Sequence, residues 1–368
     1  MRGASLLFGG QLQQQEIRRM AMMISQTQLS SKRLQKQLFI FVPPFDRIDR
    51  EGHCGWQRPS VIILCGKDRK VTVFCRILRK AMEDRRFILT FLESCGKIVA
   101  LDFEIETEDV SMMRILAIGD VVGSAAVEYL NRSLWDLRKK EKIDFVVANG
   151  ENATDCRGVL PRDADVLLAT GVDLITLGNH TYGMREIYPY LDDAARVIRP
   201  ANYPPTAPGC GYTIVRADGA RILCINISGR VFMDPLASPF DTVDRILERE
   251  KGSYDFALMD IHAEATSEKL ALAHYFDGRI AVMFGTHTHV QTADEQILPH
   301  GSGYITDLGM CGPENGILGT ERETVIERFR TMMPARFHVA DGKIVAHGAI
   351  FDVDPDAGRV KSVKRIVF

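Results

Sequence analysis

His287 and His289 lie one residue apart in Gly285-Thr286-His287-Thr288-His289. On an extended segment two such imidazoles point to the same side and can reach neighbouring metal ions. Alone, the pair could equally be a solvated turn or a satisfied buried group. Four further segments supply donors of the same kind: Gly119-Asp120, Asn149-Gly150-Glu151-Asn152, Gly178-Asn179-His180 and Asp260-Ile261-His262. Singly, Asp120 could cap a helix, Asn179 hold a turn and His262 satisfy a core; five coincidences together favour one shared metal site. Carboxylate, amide oxygen and imidazole without cysteine suit Fe, Mn or Zn rather than a thiolate structural site. The histidines argue against an all-oxygen Ca or Mg cage. There are too many donors for one tetrahedral ion and about enough for two that share a bridge, an arrangement that favours phosphoester hydrolysis.

The elements that must position these donors are legible in the hydrophobic pattern. Each segment follows an apolar run short enough for a buried parallel strand: Ile115–Ile118, Phe145–Ala148, Leu174–Leu177, Phe256–Met259 and Ile280–Phe284. Helical patterns over Ala125–Lys139, Met184–Leu191, Val243–Lys251 and Ser267–Phe276 separate most of them. That is the alternation of an α/β fold, in which ligands bind at the carboxyl ends of the strands, so the donors converge on one rim.

The same residues resemble the motifs of the calcineurin-like metallophosphoesterases, and within them the bacterial YmdB-type phosphodiesterases. The resemblance covers Met113 to Phe368. It rests on Gly119-Asp120-Val121-Val122-Gly123, Asn149-Gly150-Glu151-Asn152-Ala153, Gly178-Asn179-His180-Thr181, His262 to Lys269, Gly285 to Asp294 and Thr306 to Pro313. It implies an α/β two-sheet sandwich flanked by helices and a dinuclear metal-dependent phosphodiesterase. Asp120, Asn152 and His289 would hold one ion, Asn179, His262 and His287 the other, with Glu151 bridging. A metal-bridging hydroxide would attack phosphorus while His180, not itself a ligand, serves as general acid. The implied cofactors are two divalent or mixed-valence ions, Fe or Mn foremost and Zn next. The implied substrate is a small phosphodiester, with 2′,3′-cyclic nucleotides first.

In the wider superfamily a His stands where Val122 does and the bridge is an Asp; Glu151-Asn152 supplies the alternative of the YmdB-type branch. Two departures stand out. Ser124-Ala125-Ala126 replaces a glycine or basic residue, and Tyr182-Gly183 replaces an aromatic-Asp pair, removing a partner that could orient His180. Tyr182 is expected to pack beneath its loop rather than stack on a base. Competing functions are phosphomonoester or protein-phosphate hydrolysis on the same site and, from a different class, an RNA- or nucleotide-binding regulator that keeps metal but turns over little.

Composition agrees with a cytoplasmic enzyme. The 368 residues are 46% hydrophobic and 26% charged, enough for one large α/β domain and additional material. A net charge of -2 gives no global basic field to indicate RNA as a partner, although the upstream segment leaves that partner open; a homo-oligomer is a further open expectation. Eight cysteines without a CxxC pair, such as Cys65, Cys75 and Cys224, read as reduced thiols.

Residues 1–112 differ in composition, with a net charge of roughly +5 that leaves roughly -7 for 113–368. They contain the polar stretch Gln11 to Gln15, the basic pairs Arg18-Arg19 and Lys32-Arg33, and a lone His53-Cys54 pair that lacks the partners of a zinc site. No apolar run there approaches the about 20 residues needed to span a bilayer, and Gly9-Gly10 interrupts any signal-peptide core. The segment is expected to be a basic extension, weakly ordered or translated only in the gene model, with an RNA- or partner-binding appendage as the competing reading. The metallophosphoesterase domain is expected to be 113–368. Near the end, Phe337–Val339 and Ile344–Ala346 flank Asp341-Gly342-Lys343, and Asp356-Ala357-Gly358 precedes Val363–Phe368. Both read as hairpins that extend a second sheet. His274, His300, His338 and His347 read as structural or solvent-facing.

Overall fold

The computed structural model describes residues 112–368 except Cys156, together with four strand segments upstream. The chain divides into two compact units, Met1–Glu108 and Asp109–Phe368. In the first, β1 (Ile40–Phe41), β2 (Ser60–Ile63), β3 (Arg86–Leu92) and β4 (Ile98–Glu104) follow one another across a sheet, β2–β3 parallel and the other pairs antiparallel. The readings of His53-Cys54, Cys65 and Cys75 fall outside the described residues.

The second unit has two sheets. One runs β6 (Asp120–Val121), β16 (Met310–Pro313), β17 (Ile344–Asp354), β5 (Met113–Ile118), β7 (Phe145–Asn149), β8 (Leu174–Thr176), β9 (Val197–Ile198), with β18 (Arg359–Val367) also paired to β17. The other runs β10 (Tyr212–Ala217), β11 (Ala220–Ser228), β12 (Phe256–His262), β13 (Val282–Thr286), β15 (Gly303–Ile305), β14 (Gln296–Ile297). Strands β5-β7-β8-β9 and β11-β12-β13-β15 are parallel, so their carboxyl ends share an edge within each sheet.

The strand period of two divides the side chains between two cores. Ile115, Ala117, Phe145 and Val147 of the first sheet meet Cys224, Phe256, Leu258 and Phe284 of the second. The opposite face of the first sheet, with Leu116, Ile118 and Val146, packs on α1 (Ser124–Glu141), α2 (Pro161–Ala169) and α3 (Ile187–Asp193). The opposite face of the second, with Leu223, Ala257 and Met259, packs on α4 (Pro239–Arg249) and α5 (Thr266–Phe276). This is the two-sheet sandwich flanked by helices. In α1 the buried residues Ala126, Val127, Leu130, Leu134 and Leu137 repeat at helical spacing, and each Leu contributes about 1.5–3 kcal/mol by leaving water. Arg138, Lys139 and Lys140 complement the dipole at its C-terminus.

Several expectations need correction. The β17–β18 hairpin does not extend the second sheet: β17 pairs antiparallel with β5 in the middle of the first, where its apolar residues gain cover on both faces. Val339 bridges Thr320 rather than pairing with the strand that follows. The helix α2, with Pro161 at its start to preset the backbone angle, was not expected, nor was α6 (Arg322–Thr331). The β10–β11 hairpin also went unread, although Asp218-Gly219, both at positive φ, is the dipeptide a two-residue turn demands.

Met113 is buried and opens β5 directly, and no donor segment precedes it. A chain starting at Met113 should therefore fold and turn over phosphodiesters like the full chain. Thermal melting and steady-state kinetics on both would decide this; loss of soluble folding or most activity would make the upstream residues part of the enzyme.

Candidate metal centre

The donors are delivered by strand ends, and the tertiary pairing brings them together. Asp120 is fully buried in β6, Glu151 and Asn152 follow β7, Asn179 and His180 follow β8, and His262 ends β12. His287 and His289 are not on an extended segment. β13 ends at Thr286, and both histidines have left-handed backbones, φ 97° and 63°. Such conformations cost non-glycine residues about 1–3 kcal/mol each and persist only where surroundings impose them. Their consequence is that the two rings face different groups.

One group contains His262 Nε2, 2.8 Å from Asn179 Oδ1, 3.1 Å from His287 Nδ1 and 3.3 Å from Glu151 Oε2. The other contains His289 Nε2, 3.3 Å from the Asn152 amide and 3.7 Å from Asp120 Oδ1. Glu151 joins them: Oε2 faces His262, while Oε1 accepts from Asn152 at 3.0 Å.

Each imidazole has its outer nitrogen held by the protein, which fixes the tautomer. Asp260 Oδ1 takes the single hydroxyl proton of Thr286 at 2.7 Å, so Thr286 Oγ1 accepts from His262 Nδ1 at 2.9 Å. His287 Nε2 donates to Glu264 at 3.0 Å, and His289 Nδ1 donates to the Leu318 carbonyl at 3.0 Å. All three inner nitrogens therefore present lone pairs. His262 Nε2, His287 Nδ1, Asn179 Oδ1 and Glu151 Oε2 are four acceptors crowded together with no proton between them, Oε2 accepting only the His180 N–H among the described residues, an arrangement that a cation would relieve. Asp120 Oδ1 and Asn152 Oδ1 are likewise buried without hydrogen-bond partners. Burial, then the neighbouring Asp120 carboxylate, pushes Glu151 well above the usual carboxylate range, and burial also raises Asp120. Burial followed by the nearby His287 drives His262 well down. The donor set thus fits divalent cations, whose charge would offset both buried carboxylates. At Gly178 an added Cβ would lie 2.2 Å from His262 Nε2 and 2.4 Å from Glu151 Oε2, so only glycine leaves the donors room.

His180 stands beside both groups. Its backbone N–H donates to Glu151 Oε2 at 3.0 Å, while among the described residues its half-buried ring has one hydrogen-bond partner, the Asn179 amide, at 3.4 Å. Burial, helped by Arg157 and the two loop histidines, pulls the imidazole down to about 4. Arg157, whose stem lies against Gly183, went unread in the sequence, while Thr286, Asp260 and Glu264 stand in the quoted segments without a role assigned to them. Asp260 had one available signal, a carboxylate inside the apolar strand Phe256–His262. Tyr182 packs edge-on to Tyr188 and Tyr203 and donates to Pro208 O at 2.7 Å, as expected of a residue beneath its loop. His347 Nδ1 donates to Met310 O and its carbonyl accepts from Gly119 N–H, beside the Asp120 strand, while His300 pairs with Asp277.

Sandwich, strand-end rim and metal-fitting donors together define a metallophosphoesterase. Among known proteins, the profile of the YmdB-like proteins matches residues 116–366, and the chain belongs to that family. A 2′,3′-cyclic-nucleotide 2′-phosphodiesterase of Bacillus subtilis is 46% identical over 255 residues, 69% of this chain and 97% of that protein. A crystal structure of a Thermus thermophilus protein without assigned function aligns at TM-score 0.66 with 43% identity, covering 70% of this chain and 99% of that one. A Mycoplasma pneumoniae structure described as a novel phosphatase aligns at TM-score 0.67 with 32% identity, covering 70% and 94%. The chain is accordingly a hydrolase of the metallophosphoesterase class. Among the described residues no helix is long and apolar enough to cross a membrane.

Glu151 faces both donor groups, so Glu151→Gln should lower the occupancy of both ions, because a neutral amide cannot offset two dications. Elemental analysis checks this; full occupancy with full activity would remove Glu151 from the bridging position.

Proposed function

We propose that the protein hydrolyses phosphodiesters, with 2′,3′-cyclic nucleotides as its substrate class, at a centre of two divalent or mixed-valence ions, Fe or Mn by preference and Zn next. Asp120, Asn152 and His289 hold one ion, Asn179, His262 and His287 the other, and Glu151 serves both. The observation that carries this reading is the Glu151 carboxylate, one oxygen turned to each donor group. The cyclic-nucleotide specificity draws on the Bacillus subtilis relative. The unpaired thiols of Cys224 and Cys311 agree with a cytoplasmic setting.

Ions bound at these donors supply Lewis-acid polarisation of the phosphoryl oxygens and neutralise charge that grows in the transition state. The protein does the rest. Asn179, its oxygen committed to the second group, turns its amide towards His180 and helps set that ring at the edge of the site. The same turn is tied down by the His180 backbone bond to Glu151. Burial holds the His180 imidazole down, to about 4, and a negative phosphodiester docked beside it favours the protonated form. His180 then gives that proton to the leaving oxygen.

Phosphomonoester hydrolysis on the same site is the second reading, favoured by the phosphatase description of the Mycoplasma pneumoniae structure. Turnover of bis-aryl against mono-aryl phosphates separates the two.

His180→Ala should keep its metals while losing about 10²–10⁴-fold in rate on a cyclic nucleotide, and less on a nitrophenyl diester whose leaving group needs little protonation. His289→Ala should lose metal and slow both substrates. Metal stoichiometry and turnover of each variant test this; equal slowing of both substrates by His180→Ala would end the general-acid assignment.

A further inference from the structure

Lys269 is fully buried in α5, yet it touches none of the metal donors. Its Nζ donates to the Thr286 carbonyl at 2.8 Å and to Asp307 Oδ2 at 2.7 Å. Asp307 Oδ2 also accepts from the Thr288 N–H at 3.2 Å, and Oδ1 accepts from Gly309 N at 2.8 Å. Thr286 C=O belongs to the peptide before His287 and Thr288 N–H to the peptide after it. The angles φ and ψ at His287 are the rotations between those two planes, so holding both planes fixes both angles. The side chains of Lys269 and Asp307 thus clamp the one backbone position, φ 97°, that turns the His287 ring towards His262. Room for the lysine is built in: a Cβ at Gly285 would lie 2.8 Å from Lys269 Cδ and 1.8 Å from the Thr306 carbonyl.

A buried ion pair is a weak source of stability, because the desolvation of two charges consumes most of their attraction. Its value here lies in geometry. We propose that Lys269 and Asp307 are positioning residues for the metal centre, holding the double-histidine loop in its left-handed form before any ion arrives. The inference rests on the proposed role of His287 as a ligand.

The test uses the full chain carrying Lys269→Met together with Asp307→Asn, which removes both charges and leaves neither unpaired. Amide hydrogen exchange of 285–290 is read in metal-stripped protein, Mn(II) affinity by chelator competition, and kcat and KM on a bis-aryl phosphate with excess Mn(II). Exchange in that segment should quicken about tenfold or more while the sandwich strands keep their protection. Mn(II) affinity should fall about 10–100-fold, as when partners behind a metal ligand are removed, and kcat should recover towards the parent as Mn(II) is raised. Parental exchange with parental affinity would overturn the proposal. His287→Ala runs beside it. Should that variant keep both Mn(II) equivalents, the ligand reading fails; should it lose Mn(II) while the double variant binds normally, only the positioning role fails. If the double variant does not fold, Asp307→Asn alone replaces it, with a smaller loss expected because its amide oxygen still accepts from Lys269. Failure of both to fold would make the pair a folding requirement and overturn the positioning role.

Discussion

Two carboxylates, Asp120 and Glu151, are buried beside each other, and neither is hydrogen-bonded to a Lys or Arg side chain among the described residues. Charge in that condition is costly unless it is neutralised by proton, by partner or by metal. What the surrounding structure offers the two carboxylates is neutral N–H groups, from His287 to Asp120 and from His180 and Asn152 to Glu151. It fixes three imidazoles with their protonated nitrogens outward, leaves amide and carboxylate oxygens unpartnered, and holds a glycine where any side chain would occupy the space between donors. An affinity for cations is therefore stored in the fold, at the expense of folding stability.

The sandwich sustains that expense through the strand period. Along β7, β8, β12 and β13 the residues facing the other sheet are apolar until the last turn of the pattern, where Asn149, Thr176, Asp260 and Thr286 take their place. These four join in one hydrogen-bonded cluster: Asp260 accepts from Thr176 at 2.5 Å, Thr286 at 2.7 Å and Asn149 at 3.0 Å. The dry core thus ends in a polar layer. Burial raises Asp260 to about 7 against those bonds, so the layer sits near the limit of what a buried carboxylate tolerates. What it gains is orientation, since the same Thr286 hydroxyl that satisfies Asp260 sets the tautomer of His262.

Rigidity is unevenly distributed around the site. Asp120 and His262 stand in strands, whereas His287 and His289 lie in the loop after β13, and Asn179 and His180 share a short turn held by backbone bonds from Thr181 to Gly178 and from Gly183 to His180. With Gly183 exposed and carrying no side chain of its own, the Arg157 stem lies across it. After burial, the largest influence on the His180 imidazole is thus the Arg157 cation on a neighbouring loop, in the place where a carboxylate partner was absent from the sequence.

By itself the sequence determined the parts that are local in origin. The apolar runs ending in Asp120, Asn149–Asn152, Asn179 and His262 gave the parallel strands, because strands buried on both faces must be continuous in hydrophobic residues. The donor types followed from the residues themselves. Tertiary structure decided what depends on partners distant in the chain. The pattern of Ile344–Ala346 marks a strand but says nothing of which sheet accepts it; those residues pair with β16, and the continuation of the same strand, Gly348–Val353, lies against β5, more than two hundred residues earlier. The double histidine read as extended because no local rule demands φ 97° of a histidine; the peptides on either side of that angle are held by Lys269, Asp307 and Asp120, all distant in the chain. Asp260, a carboxylate in an apolar strand, hinted at a polar partner, but only the pairing of β12 with β13 and the approach of the other sheet show that its partners are Thr286, Thr176 and Asn149.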